Sequence, residues 1–214
     1  MGMTKIPQAP AHATMGRVLH GAELYDFLAW LFTRGRERHL RQRMIRLARL
    51  DAGDTVLDVG CGTGTLAIAV KKSVGSAGAV FGVDASPAMV ARATRKSARA
   101  GIDVMFTNAF AQSLPFPDAR FDAVLGTLML HHLPRQVRRQ CAAEIRRVLK
   151  PRGRLLVVDF GRPQGRHGIL AHFHRHGHVD FADVRAMLRD AGFTVTDDGP
   201  VGFSSLQFVL ASAP

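Results

Sequence analysis

One junction constrains this chain more than any other stretch. Thr55-Val56-Leu57-Asp58-Val59 reads as a strand buried on both faces, and it runs into Gly60-Cys61-Gly62-Thr63-Gly64 and then a helical pattern. Glycines allow the tight turn and the close approach of a ligand. The helix beyond adds free N–H donors and the positive end of its dipole. The spacing is G-x-G-x-G, not the G-x-G-x-x-G of dinucleotide-binding turns. Asp58 precedes the first glycine. A carboxylate there repels a pyrophosphate and suits a ligand that carries an ammonium group.

The surrounding pattern sets the fold class. Strand-like runs at 55–59, 79–83, 103–107, 121–127 and 154–160 alternate with helical segments, which predicts an α/β, doubly wound, mostly parallel sheet. Ser86 and Pro87 supply an N-cap and N1 for a helix reaching Ala100, ended by Gly101. His132-Leu133-Pro134 opens the next, with an apolar stripe of Val137, Cys141, Ile145, Val148 and Leu149 and a stop at Pro151. A last helix is predicted over 181–191, capped by Asp180 and ended by Gly192. Runs at 193–196 and 203–210, joined through Asp197-Asp198-Gly199-Pro200, predict an antiparallel hairpin at the sheet edge, for seven strands in all.

Residues 1–15 read as a polar tail, 16–50 as an N-terminal helical cap and 51–214 as the ligand-binding domain. In the cap, Leu24, Phe27, Leu28, Leu31 and Phe32 recur at helical spacing, followed by Arg34, Arg36, Arg38, Arg41, Arg43, Arg46 and Arg49. That combination predicts either packing on the core or peripheral contact of residues 24–49 with an anionic membrane. The whole chain has 29 Lys plus Arg against 17 Asp plus Glu, a net +12 that favours polyanionic partners and says nothing of chemistry. No run of about 18 apolar residues is present, so no membrane-spanning helix is expected. The N-terminus lacks the apolar stretch of a signal peptide, and two distant cysteines, Cys61 and Cys141, make no disulfide framework. A cytoplasmic location is the expectation.

The glycine turn resembles motif I of class I S-adenosylmethionine-dependent methyltransferases. The likeness continues through Gly82-Val83-Asp84-Ala85-Ser86, Leu114-Pro115-Phe116, Phe121-Asp122-Ala123-Val124, Leu130-His131-His132-Leu133 and Arg147-Val148-Leu149-Lys150-Pro151-Arg152-Gly153, in the family's order over residues 52–212. It implies a Rossmann-like methyltransferase fold with S-adenosylmethionine as the cofactor. It also implies a cofactor site built from Asp58, Gly60, Cys61, Gly62, Gly64, Asp84, Ala85, Met89, Ala109, Phe110 and Thr127, with Asp84 accepting from both ribose hydroxyls. One departure stands out: where relatives often read Gly-Asp-Ala, this chain has Ala109-Phe110-Ala111. Phe110 cannot accept from the adenine amino group, and either contacts the adenine ring or belongs to the core.

His131 and His132 follow the fourth strand, where such sheets present ligands, and are the candidate catalytic residues. The competing reading is that one packs and the other caps the following helix. Tyr25-Asp26 resembles the Tyr-Asp pair of ubiquinone- and menaquinone-biosynthesis C-methyltransferases, in which the tyrosine helps to close the cofactor pocket; Tyr25 joins the cofactor residues on that ground. His167, His172, His174, His176 and His178 have no accompanying cysteines or dense carboxylates, so the segment reads as a loop over the substrate pocket and no metal is expected. The predicted activity is methyl transfer to a small-molecule or lipid acceptor. An RNA or other nucleic-acid acceptor is the alternative, favoured by charge and opposed by the missing Asn/Asp-Pro-Pro-Tyr type motif.

Overall fold

In the computed structural model the described residues are 37–161 and 178–214. Helix α1 (Glu37–Leu47) leads into β1 (Thr55–Val59), α2 (Thr65–Val74), β2 (Ala79–Asp84), α3 (Pro87–Arg99), β3 (Met105–Asn108) and β4 (Phe121–Thr127). A 3-10 turn (Leu130–His132) precedes α4 (Arg135–Val148), β5 (Leu149–Phe160), α5 (Phe181–Asp190), β6 (Thr194–Pro200) and β7 (Leu206–Ser212). The seven strands lie in the order β3-β2-β1-β4-β5-β7-β6. Pairings from β3 across to β5 are all parallel, while β7 runs antiparallel to both β5 and β6. This is the doubly wound, mostly parallel, seven-stranded architecture expected from the alternation of patterns.

The period of two along each strand divides the core into two layers. Leu57, Val59, Val124, Leu155, Val157 and Val209 pack with Ile145 of α4 and Val184 and Leu188 of α5. Val56, Val80, Leu125, Leu156, Val158 and Phe208 pack with Met44 and Ala48 and with Leu66, Ala67 and Val70 of α2. The second half of the basic amphipathic stretch is therefore anchored. Met44 and Ala48 are buried while Arg38, Arg43, Arg46 and Arg49 stay exposed. Residues 24–36, with Tyr25, Trp30, Arg34 and Arg36, lie outside the described residues.

Local rules account for the helix starts. Ser86 accepts from the Met89 N–H ahead of Pro87, and Asp180 accepts from the Ala182 N–H. Gly101 and Gly192 adopt positive φ just past α3 and α5, as a helix terminator requires. Cys61 lies in the glycine turn and Cys141 in α4, both as free, buried thiols.

Three expectations are corrected. α4 begins at Arg135 behind Pro134 and has no side-chain cap, so neither His131 nor His132 caps it. β5 begins at Leu149 rather than 154, because the backbone goes from helix to strand without a break and Leu149 pairs with Phe121 across an irregularity in register. Asp197-Asp198-Gly199-Pro200 is strand, not connector. It pairs with β7 after a shift between Val195 and Asp197, and the turn falls at 201–205. Pro200 is tolerated because β6 is an edge strand with a ladder on one side only. Among the described residues no helix is long and apolar enough to cross a membrane.

Candidate cofactor and active site

The carboxyl ends of β1, β2, β4 and β5 converge on the glycine turn. Gly60, Gly62 and Gly64 all have positive φ, of 71°, 53° and 74°. Backbone bonds shape the turn: the Gly60 and Cys61 N–H groups both donate to the Val83 carbonyl, at 2.8 and 3.0 Å, and Gly64 N–H donates to the Cys61 carbonyl at 2.9 Å. Two of the glycines serve protein packing. A Cβ on Gly60 would lie 2.8 Å from the Met129 Cβ, and one on Gly64 would lie 2.6 Å from the Phe106 ring and 2.8 Å from the Ala93 Cβ. The close approach foreseen for a ligand at these two positions is thus made by side chains from β3, α3 and the β4 end. Helix α2 starts at this turn without a side-chain cap, leaving its N-terminal dipole directed at the site. Lys96 of α3 donates to the Thr63 and Thr65 hydroxyls at 2.9 and 2.7 Å, tying the turn to the neighbouring helix.

Asp84 closes β2 and is committed on both oxygens. It accepts from Gly62 N–H at 2.9 Å and from Ser86 N–H at 2.8 Å. Each carboxylate oxygen has a second lone pair, so two further donors can be accommodated. Burial raises its pKa, with the Ser86 and Gly62 N–H groups pulling the other way. The Asp84 carbonyl is held by Ala109 N–H at 3.1 Å and by the Asn108 side-chain amide at 2.8 Å. Ala109 is buried, and Phe110 beside it is half-buried in a short antiparallel bridge to Ser113. Ala85 is half-buried in the β2–α3 turn, and Met89 is buried in the first turn of α3.

Asp58 differs sharply from Asp84. Its side chain is enclosed, 1% exposed, and neither carboxylate oxygen has a hydrogen-bond partner. Burial, then the neighbouring charge of Asp84, push its pKa up to about 8, with a small opposing pull from the Ala67 backbone. Burial and the same two carboxylates also hold the Cys61 thiol well above its usual range, so it is no nucleophile. A buried, orphaned carboxyl group on a glycine turn is an arrangement that a cationic ligand group relieves.

The β4 end turns sharply. Thr127 is its last residue, and Leu128 adopts φ 56°, the left-handed region that a leucine rarely occupies. That turn buries Met129 against Gly60 and delivers His131 to Asp159, the buried acid near the end of β5. His131 Nδ1 lies 2.6 Å from Asp159 Oδ1, and the His131 backbone N–H donates to Oδ2 at 3.1 Å. The rings of His131 and His132 are 3.9 Å apart, centroid to centroid. Asp159, Met129 and Lys96 are the residues that sequence reading passed over. A single acid ending the apolar run 155–158 was the available signal for the first.

The remaining motifs serve the scaffold. Arg147 donates to the Leu114 and Phe116 carbonyls at 3.0 and 2.8 Å, while Glu144 accepts from Leu114 N–H at 2.8 Å. The Leu114-Pro115-Phe116 segment is thereby fastened to α4. His167, His172, His174 and His176 lie outside the described residues, among which no three metal-ligating side chains gather.

Comparison with known proteins agrees with this architecture. A family model described as "Methyltransferase domain" matches residues 56–153. The ubiquinone/menaquinone biosynthesis C-methyltransferase UbiE of Marinomonas sp. is 34% identical over 166 residues, covering 76% of this chain and 65% of that protein. The demethylmenaquinone methyltransferase of Thermus thermophilus is 38% identical over 142 residues, covering 66% and 63%. This chain thus spans just under two thirds of the length of these relatives. A crystal structure of a SAM-dependent methyltransferase from Aquifex aeolicus superposes with a TM-score of 0.74 at 26% identity, over 88% of this chain and 98% of that one. The fold, the ordered motifs and these relatives agree: residues 56–153 match a methyltransferase domain, carried on the Rossmann-like fold of S-adenosylmethionine-dependent methyltransferases.

Proposed function

We propose that the protein transfers the methyl group of S-adenosylmethionine to a small-molecule or lipid acceptor of the quinone-ring type. One observation carries the reading: two acids with opposite commitments flank the glycine turn. Asp84 is locked by two backbone N–H groups and keeps one lone pair per oxygen, which suits a vicinal diol such as a ribose. Asp58 is buried and orphaned, which suits a cationic amino group. The donor has both. Gly60, Cys61, Gly62 and Gly64 would line its amino-acid end, Ala85 and Met89 its ribose side, and Ala109 and Phe110 its base. Thr127 would flank the transferred methyl, and Tyr25, in the proposed helical cap over residues 16–50, would close the pocket.

The methyl donor supplies an electrophilic carbon on a sulfonium. Its displacement neutralises charge, so alignment and exclusion of water are what the protein provides. The relatives' names supply the acceptor class, a carbon atom methylated in ubiquinone or menaquinone biosynthesis. An apolar acceptor of this kind resides in membranes. The exposed Arg38, Arg43 and Arg46 on a helix anchored by Met44 fit peripheral contact of residues 24–49 with an anionic bilayer. The net positive charge alone favours nucleic acid, and neither the site nor the relatives' names add to it.

Calorimetry tests the donor: S-adenosylmethionine binds the wild type, and Asp84→Ala weakens binding tenfold or more, a loss of about 1.4 kcal/mol. A wild type that shows no binding ends this reading. Incubation with labelled donor and separate quinol, lipid and RNA fractions tests the acceptor, with label expected in the quinol fraction. Label in RNA alone overturns that choice.

A further inference from the structure

We infer that Asp159 is a positioning residue that fixes the tautomer of His131, leaving its Nε2 as an unprotonated general base for the acceptor. The inference rests on the methyl-transfer reading above and adds a role for two side chains on different strand ends.

The Asp159 carboxyl group is fully enclosed, 0% exposed, and accepts from three directions. Phe160 N–H reaches Oδ1 at 2.7 Å, His131 N–H reaches Oδ2 at 3.1 Å, and the His131 ring reaches Oδ1 at 2.6 Å. Two backbone donors already satisfy a carboxylate that has only to pin a turn to a strand. The third contact does something else. An ionised carboxylate is acceptor-only, so the ring atom facing it, Nδ1, carries the hydrogen. In a neutral imidazole the other nitrogen, Nε2, is then an acceptor. It has no hydrogen-bond partner among the described residues, and the His131 side chain keeps a 5% exposure through which a ligand would reach it. The ring cannot rotate freely either. His132 lies against it at 3.9 Å, Phe160 meets it edge-on at 5.5 Å, and its backbone is held to Asp159. Arg138 of α4, anchored on the Leu130 and Leu133 carbonyls, adds a positive charge whose pKa burial lowers and the attraction of Asp159 partly restores.

In the methyl transfer itself, the electron pair of the acceptor atom forms the new bond to the methyl carbon. The carbon–sulfur bond breaks with its pair passing to sulfur. The proton leaving the acceptor goes to His131 Nε2, and the resulting imidazolium is stabilised by the Asp159 carboxylate on its other edge. A pre-set tautomer spares the base a proton rearrangement before each turnover.

Asp159→Asn separates this role from a structural one. Oδ1 serves both Phe160 N–H and the ring, so the amide oxygen can stay there and keep both contacts, while the negative charge that stabilises the imidazolium is removed. The full-length protein is to be compared by ¹⁵N-resolved imidazole spectroscopy, calorimetry with S-adenosylmethionine, and turnover of a demethylated menaquinol. Wild-type His131 is expected as the Nδ1–H tautomer, and the Asn variant is expected to lose the carboxylate charge facing it. Donor affinity should stay within about twofold, while kcat falls about a hundredfold or more at little changed KM. Asp159→Glu should restore part of kcat. An Nε2–H tautomer in the wild type overturns the inference, as does an Asn variant within about threefold of wild-type kcat. If Asp159→Asn fails to fold, the wild-type tautomer together with the kcat of His131→Gln decides. Failure of the wild type to bind the donor would count against the methyltransferase reading, whereas the tautomer is read without any ligand.

Discussion

The two ends of the sheet use the same side-chain chemistry to opposite effect. At the amino ends of β1, β4 and β5, Asp122 accepts from Lys150 Nζ at 2.8 Å and from Thr55 N–H at 2.9 Å, and Asp54 accepts from Arg154 and from Asp51 N–H. Partial burial works against the charge at Asp122, yet Lys150, Thr55 N–H and Arg154 together hold its pKa below the usual value. At the carboxyl ends, Asp58 is buried with both oxygens orphaned and its pKa raised to about 8. One end spends its acids on fastening strands. The other keeps an acid unsatisfied and adds a leucine with φ 56° close by. Such a contrast within one sheet separates scaffold from site without any ligand in view.

The largest expected effect tests the unsatisfied end. A carboxyl group whose folded pKa lies above its unfolded value binds its proton more tightly when folded. Its stabilising contribution is complete below about 3.8 and is lost as pH rises toward about 8. Each tenfold difference in proton affinity between the folded and unfolded chain is worth about 1.4 kcal/mol. Donor-free protein should therefore lose several kcal/mol of stability across that window relative to Asp58→Asn. Urea melts of both proteins at about pH 5 and about pH 8 measure the difference, and parallel pH curves would remove Asp58 from the contrast. A medium effect tests the satisfied end: Asp122→Ala should cost about 2 kcal/mol by denaturant midpoint, since it strands Lys150 and Thr55 N–H. Donor affinity should not change; a tenfold loss would mean that the two ends are not independent. The smallest effect supplies the baseline. Arg49→Ala removes an ion pair to Asp197 whose partners are 58% and 41% exposed, and the midpoint should move by no more than about 0.5 kcal/mol.

What the sequence disclosed follows from how local each determinant is. β1 and β4 fall at 55–59 and 121–127 as predicted, because continuous apolar runs bounded by turn residues need no distant partner to be recognised. The caps at Ser86 and Asp180 are equally local. Asp197-Asp198-Gly199-Pro200 has turn composition, and only pairing with β7 turns it into an edge strand. The same limit applies at the site. The glycine turn and Asp84 announce themselves over a few residues, whereas the partnership of His131 with Asp159 spans 28 residues and depends on two strand ends meeting. Leu128 carries no compositional mark of its backbone conformation, which tertiary packing imposes.

The contact between Gly60 and Met129 has a mechanical consequence. With the Met129 side chain filling the place where a Cβ of Gly60 would stand, the glycine turn and the turn that carries His131 share a bearing surface. Met129 is two residues from His131, so a displacement at one turn is transmitted to the other through a single packed side chain rather than through solvent. The positions of the two turns are thereby geared together, and a bulkier residue at position 60 would displace both at once.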